Sequence, residues 1–111
     1  MITSLSRKRK IVGLIVILAG LPLAAQSQND PELLYKSKCA MCHGGDGSGS
    51  TPAGKATGAK DFHYSEVVKE TDAELQEVIK RGRKKMPAYQ GKLSADQLDG
   101  LVKYIRQLQG R

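Results

Sequence analysis

A chain of 111 residues allows one small domain, and 18 Lys and Arg against 11 Asp and Glu give it a formal charge of +7. Four of those basic residues and none of the acidic ones precede residue 26, so the rest of the chain carries 14 against 11, a net +3, with one Phe and no Trp. That balance sets aside a basic, aromatic-rich nucleic-acid face, and two cysteines three positions apart set aside a scaffold of several disulfides.

Arg7, Lys8, Arg9 and Lys10 form a basic cluster, followed by an apolar run at 11–25 that gives way to "QSQND". This is the layout of a secretory signal peptide. The run has 15 residues, short of the roughly 20 that a helix needs to span a bilayer. The expectation is therefore a signal over 1–25, cleaved after 25 to 27, and a soluble domain over 26–111 with no stable membrane insertion, in the periplasm or otherwise exported. A domain of that size is only marginally stabilised by its own core. The two cysteines would close too small a loop to add much, which points to a bound cofactor.

Asp30, Pro31 and Glu32 read as N-cap, first helical position and dipole-complementing acid, opening a helix that leads to the cysteines. Six glycines and Pro52 lie within the fifteen residues 44–58, which predicts an ordered loop without a regular element. Residues 62–69 predict a short helical turn. Thr71 with Glu74 forms a capping-box pattern, and Leu75, Val78 and Ile79 follow at helical spacing until Gly82. The segment "RKKMPAYQGK" reads as a loop in which Pro87 biases Met86 toward an extended conformation. Ser94 with Gln97 repeats the capping box, and Leu98, Leu101, Val102, Ile105 and Leu108 lie on one helical face. No stretch alternates with period two, so the domain is expected to be all-α.

The stretch "SKCAMCHGGDG" holds Cys39, Cys42 and His43. A thioredoxin-like redox pair would need a strand before it, and here a helix leads in. Zinc needs four ligands; Cys39, Cys42, His43 and His63 just suffice in number, but His43 abuts Cys42 and His63 stands alone. A c-type haem fits the spacing directly: two thiols a helical turn apart can add to the two vinyl groups on one porphyrin edge, and the next residue offers its imidazole to the iron. Met41 lies between the cysteines on the side His43 would occupy, leaving Met86 as the thioether candidate for the opposite position. A lone Met is more often a core filler, yet Lys84, Lys85 and Pro87 do not describe a buried segment. His63, between Phe62 and Tyr64, is the rival for a bis-His site, and an open sixth position would suit peroxidase-like or gas-binding chemistry.

With these residues in view, the chain resembles the class I cytochromes c, especially small bacterial monohaem ones, over nearly all of 26–111. The resemblance is carried by the helix into "CAMCHG", the loop "GDGSGSTPAGKATGAKDF", the segment "KKMPAY" and the final "LSADQLDGLVKYIRQL". It implies an all-α class I cytochrome c fold of about three to five short helices around one covalent haem c. Cys39 and Cys42 would form the thioethers, His43 the proximal ligand and Met86 the distal one. Tyr35 would meet Leu101 and Tyr104 where the first and last helices cross, and the Pro52 carbonyl would receive a hydrogen bond from the His43 ring. Leu75, Val78, Leu98, Leu101 and Val102 would line the pocket or the helix contacts. The implied role is single-electron transfer between redox proteins by a monomeric carrier, or by a dedicated donor subunit of a dehydrogenase or oxidase, with no catalytic residue. Lys80, Arg81, Arg83, Lys84 and Lys85 form either a solvated helix end or a positive rim that steers encounter with acidic docking surfaces.

Overall fold

The computed structural model describes residues 12–20 and 28–111. Residues 12–20 are exposed and carry no helix or strand; the basic cluster at 7–10 and the expected cleavage positions lie outside the described residues. No helix among the described residues is long and apolar enough to cross a membrane.

Three helices start where their caps predict. Helix α1 (Pro31–Lys38) opens on the Asp30 carboxylate, which accepts from the Glu32 and Leu33 amides at 2.9 and 3.1 Å. Two short helices, α2 (Ala40–His43) and α3 (Pro52–Thr57), follow, then the single turn α4 (Ser65–Val68). Helix α5 (Asp72–Arg81) and helix α6 (Ala95–Leu108) each begin with a complete reciprocal capping box, Thr71 with Glu74 and Ser94 with Gln97. Both boxes satisfy amides that a helix start would otherwise leave unpaired.

The described residues thus hold six helical segments rather than three to five, two of them only four residues long. The glycine-rich stretch differs from expectation as well, because α3 lies inside it. Thr51 caps α3 by accepting from the Gly54 amide at 2.9 Å, Pro52 supplies the preset first position, and Gly58 ends it in the left-handed region. Local capping there outweighs the glycine content.

The core forms where α1 crosses α6 and α5 packs beside them. Tyr35, Leu101 and Val102 are fully buried, with Leu34, Leu75, Ile79, Leu98 and Ile105 around them. Tyr35 meets Tyr104 with ring centroids 5.1 Å apart, as the crossing predicts. Gly100 lets the two helices approach: a Cβ there would stand 3.0 Å from Pro31 Cγ. Val78, expected in this layer, is only half-buried. Arg106 fastens α6 to the turn before α5, pairing with Asp72 at 3.0 Å and donating to the Glu70 carbonyl. This frame leaves the segments 39–63 and 82–92 on its border.

Candidate cofactor-attachment site

Helix α1 ends at Lys38, and Cys39, with φ −117°, turns the chain into α2. The His43 amide bonds back to the Cys39 carbonyl at 2.9 Å, so Cys39, Cys42 and His43 share one helical turn. Both thiols are unpaired and half-buried. Burial pushes the Cys39 thiol up to about 11, only weakly opposed by Lys38, so no charge is trapped at the edge of the core.

Segments on either side hold that turn. The Thr51 hydroxyl lies 2.6 Å from the Met41 carbonyl and 3.0 Å from the Cys42 carbonyl. Gly54 follows it against the same backbone, where a Cβ would collide with the carbonyl oxygens of Cys42 and Gly49. Thr51 and Gly54 therefore buttress the cysteines, a role with no signature in the motif itself, although Thr-Pro is a recognisable helix start.

The His43 ring is oriented from one side. Its Nδ1 stands 3.0 Å from the Lys60 carbonyl; a carbonyl only accepts, so Nδ1 carries the proton and Nε2 keeps its lone pair. Burial lowers the His43 pKa below the ordinary imidazole value, against a smaller opposing effect of the Lys60 carbonyl, which favours the neutral ring a metal requires. Phe62 stacks on the ring at 4.6 Å and 26°. The acceptor is thus Lys60 and not Pro52: Pro52 opens α3, where its carbonyl belongs to the helix, whereas residues 60–62 bring the Lys60 carbonyl to Nδ1 and the Phe62 ring onto the imidazole.

Met86 lies on the segment after α5, half-buried against the core. Its amide bonds to the Arg83 carbonyl at 2.9 Å across a tight turn in which Lys84 has φ +55°. The amides of Tyr89 and Gln90 then return to the carbonyls of Ile79 and Lys80. The Tyr89 hydroxyl donates to the Lys38 carbonyl at 3.1 Å, directly before Cys39, and Lys85 Nζ reaches the Ala56 carbonyl at 3.4 Å. Burial raises the Tyr89 pKa, and the Cys39 and Cys42 sulfurs add to the shift. Met41 is exposed.

His63 is engaged elsewhere. Its Nδ1 meets Asp61 at 2.7 Å and its Nε2 meets the Leu108 carbonyl at 2.8 Å. Among the described residues no three His, Cys, Asp or Glu side chains converge, so the donors that zinc would need are not gathered. Of the basic run, Lys80 and Arg81 pair with Glu77, and Arg83 with Glu70. Lys84 and Lys85 have no acidic partner among the described residues.

The residues fit a covalently held haem. Two free thiols share a turn, His43 keeps a neutral ring with its lone pair on Nε2, and Cys39, Ala40, Met86, Tyr89 and Leu93 make a half-buried apolar border to the core. Comparison with known proteins agrees. Residues 26–105 match the family model described as cytochrome C oxidase, cbb3-type, subunit III. Among solved structures, the "KustC0563 c-type cytochrome" is 32% identical, with a TM-score of 0.65, over 71% of this chain and 96% of that one.

Proposed function

Because this chain belongs to the cytochrome c oxidase, cbb3-type, subunit III family, we propose that it is an exported carrier of single electrons whose haem iron lies between His43 and Met86. Covalent haem c, haem-based electron transfer and a small class I-like cytochrome c fold follow from the family and the solved relative. The ligands, the partners and the compartment are the proposal. The observation that carries it is the His43 ring itself, with Nδ1 on the Lys60 carbonyl and Nε2 left as the donor behind the two free thiols.

Met86 is favoured as the second residue that would hold the iron because its loop is tied by Tyr89 to the residue before Cys39, while both nitrogens of His63 are occupied. The haem supplies the one-electron chemistry; the protein sets its potential and its isolation. A His/Met pair raises the reduction potential, and an apolar surrounding tunes it further. The Lys60 carbonyl makes the imidazole a stronger donor, as outer groups do for metal-bound histidines. Phe62 covers the face of the ring against water. Cys39 and Cys42 would hold the porphyrin edge, and Thr51 and Gly54 keep their turn in shape.

Export is supported by the basic and apolar leader at 7–25 and by a family match that begins at residue 26. The family description also supports a second reading in which the domain works as part of a terminal oxidase rather than as a free shuttle. Either way, Lys84 and Lys85 are the cations of the 80–85 run that have no acidic partner among the described residues and could meet one on a partner, since Lys80, Arg81 and Arg83 already face carboxylates.

Absorption spectra of the purified holoprotein, ferric and ferrous, test the ligand set. Wild type should show covalent haem and resist carbon monoxide. Met86→Ala should lose the weak thioether-to-iron band of the ferric form and bind carbon monoxide readily. A wild type that already binds the gas would indicate an open sixth position, and an unchanged spectrum in Met86→Ala would remove Met86 from the iron.

A further inference from the structure

We propose that Tyr89 is a positioning residue that keeps Met86 at the iron, by donating its hydroxyl hydrogen bond to the Lys38 carbonyl. This rests on the reading of Met86 as the distal ligand and adds what holds it there. Two ends of the site that are far apart in sequence meet at this contact. Lys38 immediately precedes Cys39, and only Pro87 and Ala88 separate Tyr89 from Met86. The bond spans 51 residues of chain.

Lys38 is the last residue of α1, where carbonyls have no partner within the helix. The Tyr89 hydroxyl supplies one, while the Tyr89 amide bonds to Ile79 at 3.1 Å. The ring is thereby held at both ends, by its backbone to α5 and by its hydroxyl to α1. Pro87, with its fixed φ, leaves few rotations by which Met86 could move while Tyr89 stays in place. The other tie from this loop to the cysteine side is weaker: Lys85 Nζ reaches the Ala56 carbonyl at 3.4 Å against 3.1 Å for the Tyr89 bond, and although both bonds are exposed, the Tyr89 ring is half-buried whereas the Lys85 side chain is exposed. Breaking the Tyr89 bond therefore frees Met86 more than breaking the Lys85 one.

A hydroxyl that only capped α1 would contribute to stability and leave ligand exchange alone. Imidazole titration of the ferric holoprotein separates the two roles, because added imidazole competes with Met86 for the iron. Tyr89→Phe keeps the packed ring and removes only the donor. It should retain the thioether band and bind imidazole about five-fold more tightly than wild type, the factor one net hydrogen bond supplies. The limiting rate at saturating imidazole, set by Met86 release, should rise in parallel. Lys85→Gln should change affinity by less than Tyr89→Phe does. Unchanged imidazole affinity in Tyr89→Phe, whether or not the unfolding midpoint falls, would overturn the proposal. Met86→Ala, run beside it, keeps the two readings apart: an unchanged ferric spectrum there would sink Met86 as ligand, whereas an altered one with an unaffected Tyr89→Phe would sink only the role of Tyr89.

Discussion

His43 and Met86, the two proposed iron ligands, are secured in different ways. The His43 side is gripped from several directions: the Lys60 carbonyl on Nδ1, Phe62 across the ring, Thr51 and Gly54 beneath the turn. The 60–63 segment that supplies two of those contacts is itself fastened to the end of α6, by Gln109 to the Phe62 carbonyl at 2.9 Å and by His63 to the Leu108 carbonyl. The Met86 side rests on a tight turn, two backbone bonds to the end of α5 and one exposed hydroxyl bond from Tyr89. One proposed ligand is built into the frame, and the other sits on a loop with fewer ties to the rest. Local opening is expected wherever few buried contacts secure a segment.

Phe62→Ala tests the strong side and should have the largest effect. Phe62 is buried, stacks on His43 and stands edge-on to Tyr35 at 6.3 Å. Removing a buried aromatic costs roughly 3–5 kcal/mol, so the denaturant midpoint of the holoprotein should fall steeply. The haem spectrum should change with it, because the same ring orients the ligand. If stability falls but the His43 environment, read by resonance Raman or NMR, stays as in wild type, the proximal grip does not depend on this loop.

Gly82→Ala tests the weak side. Gly82 has φ +70° and ψ 172°, a conformation that side chains other than glycine rarely adopt, and a Cβ there would collide with the Met86 carbonyl. The strain is about 1–3 kcal/mol, smaller than the cost at Phe62. Its consequence should be selective: faster carbon monoxide binding and a weakened thioether band, with little loss in the unfolding midpoint, since the loop can open to relieve it. A drop in global stability equal to that of Phe62→Ala, without gas binding, would show that the two sides are not mechanically separable.

The two sides also differed in how far the sequence disclosed them. Cys39, Cys42 and His43 announce themselves by spacing, and α1, α5 and α6 by side-chain caps that need no tertiary partner. Met86 stood out as a candidate because, after the leader, it was the one methionine left once Met41 was set aside. What grips His43 was not visible, for physical reasons. The acceptor is a backbone carbonyl, which leaves no mark on residue identity, and so it was expected at Pro52 rather than at Lys60. The buttress at Gly54 works by having no side chain, and glycine in a glycine-rich stretch reads as loop rather than as close approach. Gly100, which sets the spacing of α1 and α6, was hidden for the same reason inside a strong amphipathic pattern. Tyr89 could have been found only by knowing that α1 ends beside it.

The smallest effect concerns the tie that the distal loop lacks. Asp61 is held ionised, below the usual carboxylate range, chiefly by the His63 amide and ring, and the Leu108 carbonyl can only accept. Both His63 nitrogens must therefore donate, which needs the imidazolium. The His63 pKa is raised, first by the Asp61 bond and then by Leu108, with nearby Asp46 adding to it. A group whose folded pKa exceeds its unfolded one contributes stability that is complete below the unfolded value, about 6.5. That contribution is lost as pH rises through the folded pKa, because in that window the folded protein binds more protons than the unfolded chain. Unfolding midpoints of wild type and His63→Gln should differ most at acidic pH and converge as pH rises above neutrality. The exposed position of the ring keeps this difference small. A difference that does not change with pH would mean that His63 is neutral, and that the proximal segment is fastened to α6 by Gln109 and by packing rather than by a charge.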